Sequence, residues 1–216
     1  MTFDNRRFLR RCVTSLVLVA GVGAGLGACA PLMLGGAAVG ALMATDRRTA
    51  GAQIEDEGIE LRSASRIRDS LVDRAHVNIN SYNRQVLLTG EVPTAQDRQL
   101  AEQIVSRVDN VRAIVNELAV LGNTSLTQRS SDSLVTGKVK AAMVDAKDLY
   151  ANAFKVVTER GTTYLMGRVS QREGDRATEI ARGTSGVLKV VRIFESVSED
   201  ELKRLLPTPA PGDAKK

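Results

Sequence analysis

Few side chains in this 216-residue sequence could do covalent or metal chemistry, and their spacing decides most cases. The chain has one histidine, His76, at the mouth of a candidate hairpin. With no second imidazole to share a metal, it reads as an exposed or turn histidine. Glu55, Asp56, Glu57 and Glu60 form a short acidic cluster. The cluster lacks the alternating oxygen ligands and glycine of a calcium loop, so it reads as the solvated start of a helix. Ser130, Ser131 and Ser133 stand without a histidine or lysine base in a recognisable arrangement, which leaves nucleophilic catalysis without support. The expectation is therefore no enzyme, no metal, no cofactor and no small-molecule substrate. The thiols, Cys12 and Cys29, require the segment around them.

That segment is built for export. Arg6, Arg7, Arg10 and Arg11 make a basic start, no charged side chain occurs from Cys12 to Thr45, and an apolar run from Val13 to Leu26 gives way to Gly27 and Ala28. The run is short against the roughly 20 apolar residues of a spanning helix. An uncleaved anchor using residues 13–43 would be rich in glycine and poor as a helix. Leu26-Gly27-Ala28-Cys29 resembles the bacterial lipobox, which implies cleavage before Cys29 and a thioether from its sulfur to diacylglycerol. Ala30, rather than an aspartate, implies delivery to the outer membrane, facing the periplasm. Cys12 leaves with the signal and Cys29 is blocked, so no thiol remains for a disulfide or metal. Removing residues 1–28 takes away four arginines and Asp4, so 30 basic and 25 acidic residues become 26 and 24. The basic composition is thus no footprint of nucleic-acid binding.

Beyond the Ala- and Gly-rich stretch 30–52, which reads as a tether, one pattern occurs twice. VNINSYNRQVLLTGEV (77–92) lies on FKVVTERGTTYLMGRV (154–169) without a gap. Alternating apolar residues around Asn83-Arg84, and again around Arg160-Gly161, predict a hairpin with one buried face. Gly90 and Gly167 stand at equivalent places in the second strand and predict a close backbone approach or a positive φ. Thr94-Ala95-Gln96-Asp97 and Ser170-Gln171-Arg172-Glu173 both match the capping box. Each starts a helix whose apolar stripe is Ala101, Ile104, Val105 and Val108, or Ala177, Ile180, Ala181 and Thr184. Asn110 and Gly186 close these helices, and third strands follow at 111–118 and 187–194. A further amphipathic helix opens each unit, the first over 60–72 with Ala64, Ile67 and Leu71 inward. The second is capped by Asp132 and presents Val135, Val139, Ala142 and Met143.

The expected class is α+β: two tandem αββαβ units, each a small mixed three-stranded sheet packed on two helices. The other sheet face of each unit is solvated or covered by its twin. This order, with the VLLTGEV and YLMGRV strands and the closing DNVRAIVNEL and SGVLKVVRIF strands, resembles BON domains. Two of them behind a lipobox resemble dual BON-domain outer-membrane lipoproteins. The expected organisation is a signal peptide 1–28, an acylated terminus and tether 29–54, and BON units at 55–120 and 131–197. A polar linker 121–130 joins the units, and the tail 198–216 is mostly disordered.

The units are electrostatic opposites. Residues 55–118 hold eight basic and eleven acidic side chains, residues 131–197 eleven and eight. An anionic membrane would attract the second and repel the first, by about 1 kcal/mol per cation near the lipid. The resemblance implies binding of anionic phospholipid and support of envelope integrity, including at division sites. The residues expected to touch lipid are Leu134, Val135, Lys138 and Ala141 on the opening helix of the second unit, then Lys147, Leu149 and Tyr150 in the loop after it. Apolar side chains flanked by lysines suit the headgroup layer. The competing reading is a protein-binding adaptor or assembly factor for outer-membrane or envelope proteins, using the acidic face of the first unit or an open sheet edge.

Overall fold

The computed structural model describes residues 46–71 and 74–205. Cys29, the signal peptide and most of the tether lie outside the described residues, as does the tail beyond Leu205. Among the described residues no helix is long and apolar enough to cross a membrane.

The first unit comprises α1 (Ala50–Leu71), β1 (His76–Tyr82), β2 (Gln85–Val92), α2 (Ala95–Ser106), β3 (Ala113–Asn116) and β4 (Ala119–Val120). The second comprises α3 (Leu126–Asp145), β5 (Phe154–Glu159), β6 (Thr162–Val169), α4 (Gln171–Gly183) and β7 (Lys189–Ser196), and α5 (Glu199–Leu205) follows it. In each unit the hairpin is antiparallel and the crossover strand joins the middle strand in parallel. The expected third strand of the first unit is split: β3 and β4 both pair with β2, and the ladder breaks opposite Thr89 and Gly90. Leu118, at the break, turns into the core.

Local chemistry explains the turns. Both hairpins close through two residues with positive φ, Asn83 and Arg84 in one and Arg160 and Gly161 in the other, the twist that suits a tight hairpin. Gly90 has φ +108°, and a Cβ there would stand 2.1 Å from the His76 carbonyl oxygen; at Gly167 a Cβ would stand 2.6 Å from that of Ala153. Each glycine lets the facing strand approach. Asn110 and Gly186 also take the expected positive φ.

Four expectations are corrected. Helix α1 starts ten residues earlier than Glu60, and α3 begins at Leu126 on an Ser125 cap, so it reaches back into the stretch 121–130 read as linker. Asp132 lies inside α3, where it is 3% exposed and caps nothing. Only Ser170 and Glu173 form a full capping box; Asp97, one methylene shorter than a glutamate, instead accepts the Thr94 hydroxyl at 2.7 Å. Residues 199–205 form α5, with Leu202 buried and Glu201 bound to Arg168 at 2.8 Å.

Each unit has its own core, one around Ile59, Val86, Leu88 and Val105, the other around Val139, Met143, Leu165 and Ala181. A third core answers the question about the outer sheet faces. Tyr82 and Leu87 of the first unit meet Tyr164, Met166 and Ile193 of the second, so each sheet is covered by its twin. All three cores fall within one compact body, Thr45–Lys216.

Candidate functional site

The repeat places one aspartate at the same spot in both opening helices, 76 residues apart, and both have the same task. Asp132 accepts hydrogen bonds from the backbone N–H of Arg160 and Gly161, each at 2.9 Å. Asp56 accepts from the N–H of Asn83 and Arg84 at 2.8 and 2.7 Å, and from the Ser81 hydroxyl at 2.7 Å. A carboxylate thus satisfies the two donors that a positive-φ turn exposes. Burial would raise the Asp56 carboxyl, but these donors together with Arg48 hold it below the ordinary carboxylate range. The acidic cluster is therefore not a solvated helix start: Asp56 is 2% exposed, and only Glu57 faces outward.

The end of the expected tether is folded. Arg48 pairs with Asp56 at 2.8 Å and lies over the Tyr82 ring, 4.3 Å from its centroid. Arg47, its neighbour, reaches the other unit and makes a bidentate pair with Glu173 at 2.6 and 2.8 Å, plus a bond to the Arg168 carbonyl at 2.8 Å. Burial alone would raise the Glu173 carboxyl, yet the bonds from Arg47 and the Ser170 N–H keep it low. Two consecutive arginines thus bind one unit each. Arg47 also sits 5.9 Å from the Tyr150 ring centroid, so the tether joins the body beside the loop expected to touch lipid.

The residues expected to bind phospholipid divide. Leu134 is 61% and Tyr150 45% exposed, and Lys138, Ala141 and Lys147 are exposed as well. Val135 is a correction: it is 6% exposed, belongs to the core of the second unit and lies under Gly186. A residue on the buried stripe of a helix cannot also serve its outer face. Leu149 is half-buried and packs against the same core. What remains is a face of α3 bearing Leu134, Lys138 and Ala141, with Lys147 and Tyr150 at its end. The twin positions on α1 are Gly58, Arg62 and Ser65, and there Arg62 is neutralised by Glu55 at 2.7 Å. Lys138 and Lys147 form no ion pair among the described residues.

His76 is also corrected. It opens β1, its side chain is 21% exposed, and its Nδ1 lies 3.2 Å from Glu91 Oε2. His76, Glu91 and Glu159 offer ligand atoms within 4.8 Å of one another, a set whose chemistry suits a divalent cation. Those carboxylates already have donors, though. Thr124 gives Glu91 its N–H and hydroxyl, Asn78 donates to Glu159 at 2.6 Å, and Arg160 stands 3.7 Å from Glu91. Burial, with Glu91 nearby, pushes the Glu159 carboxyl up even against the Asn78 bond. The triad reads as a polar seam between the units, joined by the Tyr82 hydroxyl donating to the Ala153 carbonyl at 3.2 Å and by Lys155 reaching Glu60.

The BON domain model matches residues 55–122 and 131–195. The chain belongs to the BON-domain family. Over 182 residues it is 36% identical to outer membrane lipoprotein DolP of Haemophilus influenzae, covering 83% of this chain and 94% of that protein. It is 34% identical over 154 residues to a 21 kDa hemolysin of Actinobacillus pleuropneumoniae, covering 70% and 79%. Among solved structures, the C-terminal domain of CdsD from Chlamydia trachomatis matches 62% of this chain and 96% of its own, at TM-score 0.28 and 11% identity. The dual BON chain is thus an outer-membrane lipoprotein resembling DolP, and a lipid-anchored place at the outer membrane agrees with that relative.

The sequence did not disclose the pairing of Arg47 with Glu173, nor that Asp56 and Asp132 hold the hairpin turns. A signal for the aspartates was present, since a carboxylate recurs at one position of the repeat, inside a helix and on its apolar stripe. For Arg47 and Glu173 nothing local marks the pair.

Proposed function

We propose that this chain, anchored through Cys29 and facing the periplasm, docks its second BON unit on anionic phospholipid and thereby supports outer-membrane integrity, including at division sites. The observation that carries the reading is the difference between twin helix faces. Leu134, Lys138 and Ala141 present an apolar and cationic surface on which Lys138 forms no ion pair among the described residues, whereas the corresponding cation of the first unit is neutralised. A shallow docking follows, with aliphatic groups among the headgroups and ammonium groups near phosphates.

The Arg47 anchor fits this reading. By joining the body beside Tyr150, the tether brings Lys147 and the end of α3 toward the lipid that holds the anchor. A tethered face meets the membrane at the high effective concentration of an intramolecular partner, so weak docking suffices.

Vesicle co-sedimentation of the body Thr45–Lys216 tests the proposal. Binding to anionic vesicles, none to zwitterionic ones, and release by salt are expected. Leu134→Glu and Lys138→Glu should abolish binding, and equivalent changes at Gly58 and Arg62 should not. Binding that survives the α3 substitutions would remove this face from the account and favour the adaptor reading.

A further inference from the structure

We propose a second, separate site: a cleft in the first unit that binds a single-chain anionic amphiphile, one acyl tail with a carboxylate or phosphate head. The two units differ where the repeat makes them equivalent. Val77 and Phe154 occupy the same strand position, each paired across its hairpin with a glycine, Gly90 or Gly167. In the second unit Phe154 is 6% and Val156 3% exposed; Leu149 and Ala151 pack over that core, and Phe194 meets Phe154 edge-on at 6.0 Å. In the first unit the smaller Val77 and its neighbour Ile79 stay half-buried, and a cleft of about 360 Å³ opens over them beside α1. Ile67 and Leu71 extend its apolar floor.

The rim is cationic. Arg68 at the end of α1 and Arg129 near the start of α3 line the mouth together with His76. Neither arginine forms an ion pair among the described residues, although the first unit is acidic overall. The carboxylate in contact with His76, that of Glu91, is fully buried and engaged by Thr124 and Arg160. An apolar trough favours an acyl chain in proportion to the surface it dries. Two guanidiniums at its mouth, neither in an ion pair among the described residues and Arg129 donating only a long bond of 3.5 Å to the Thr124 hydroxyl, select an anionic head by charge-assisted hydrogen bonds. The volume falls within the roughly 300–1,000 Å³ of small-molecule sites. None of these residues belongs to the α3 face, so this site stands or falls apart from membrane docking.

Isothermal titration of the body Thr45–Lys216, below the critical micelle concentration, tests it with laurate and lauroyl-lysophosphatidylglycerol as separate arms and dodecyl maltoside as the uncharged control. Saturable one-to-one binding of at least one anion is expected, with dodecyl maltoside about tenfold weaker or more. Val77→Phe, which copies the second unit, should weaken the anion about tenfold or more by filling the trough. Arg68→Gln with Arg129→Gln should bring the anion down to the level of the control, and Leu134→Glu should change nothing. Ala64→Leu fills the same trough if Val77→Phe fails to fold. The proposal is overturned if neither anion saturates, if the control binds as well, or if both filled variants fold and bind like the parent.

Discussion

The two BON units share a plan and divide the labour differently. At twin positions the first unit has Gly58 and a neutralised Arg62, the second Leu134 and Lys138, which forms no ion pair among the described residues. Behind the hairpins the relation reverses: the second unit fills its core edge with Phe154, and the first leaves Val77 beside an open cleft. What stays constant is the aspartate under each turn and the glycine across each hairpin. A duplicated fold keeps the side chains that satisfy its backbone and is free to change those facing out.

The largest effect is expected where one residue serves the junction of both units. Arg47→Ala leaves the Glu173 carboxylate buried without its partner, and removal of one member of such a pair costs about 3–5 kcal/mol. Urea unfolding reads this; a loss under about 1 kcal/mol would mean that the apolar seam alone unites the units. Met166→Ala, at the seam itself, should cost about 2–4 kcal/mol and, if the units are one cooperative body, keep a single transition. Two separated transitions would show that they unfold independently.

Acid titration sharpens the comparison further. Asp56 and Glu173 have depressed folded values, so their contribution is present above the unfolded carboxylate range and is lost as pH falls through those depressed values. Glu159 runs the other way. Its value is raised, so its favourable contribution is complete below the unfolded value and is lost as pH rises through the folded one. Glu159→Gln keeps an acceptor for Asn78 and removes a charge near Glu91, and at neutral pH should be neutral or stabilising by up to about 1 kcal/mol. A marked destabilisation in thermal unfolding would show that the seam needs the charge. The smallest stability effect belongs to Leu134→Glu and Lys138→Glu, within about 0.5 kcal/mol as for exposed sites, while vesicle binding is lost. A change in the melting temperature beyond that would identify the face as structural.

Much of each unit was legible in the chain, because turns, caps and apolar stripes are written in residues a few positions apart. The hairpin pairs Asn83-Arg84 and Arg160-Gly161, the close approach at Gly90 and Gly167, and the helix ends at Asn110 and Gly186 all follow from such local patterns. Boundaries suffered where an element extends past its apolar stripe, as α1 does through Ala50 and α3 through Leu126. Polar side chains on an otherwise apolar face were misread in a consistent way: Asp132 as a cap, Asp56 as solvated and His76 as exposed, because their partners lie 15 or more residues away.

The sequence by itself determined the two αββαβ units and their opposite charges, since periodicity and composition are properties of the chain. Only the tertiary structure decided that the outer sheet faces meet and that Arg47 and Arg48 bind different units. It alone also left a cleft at Val77. The physical reason is that burial belongs to surfaces brought together, and a polar group settles its hydrogen bonds only with whatever that meeting puts in reach.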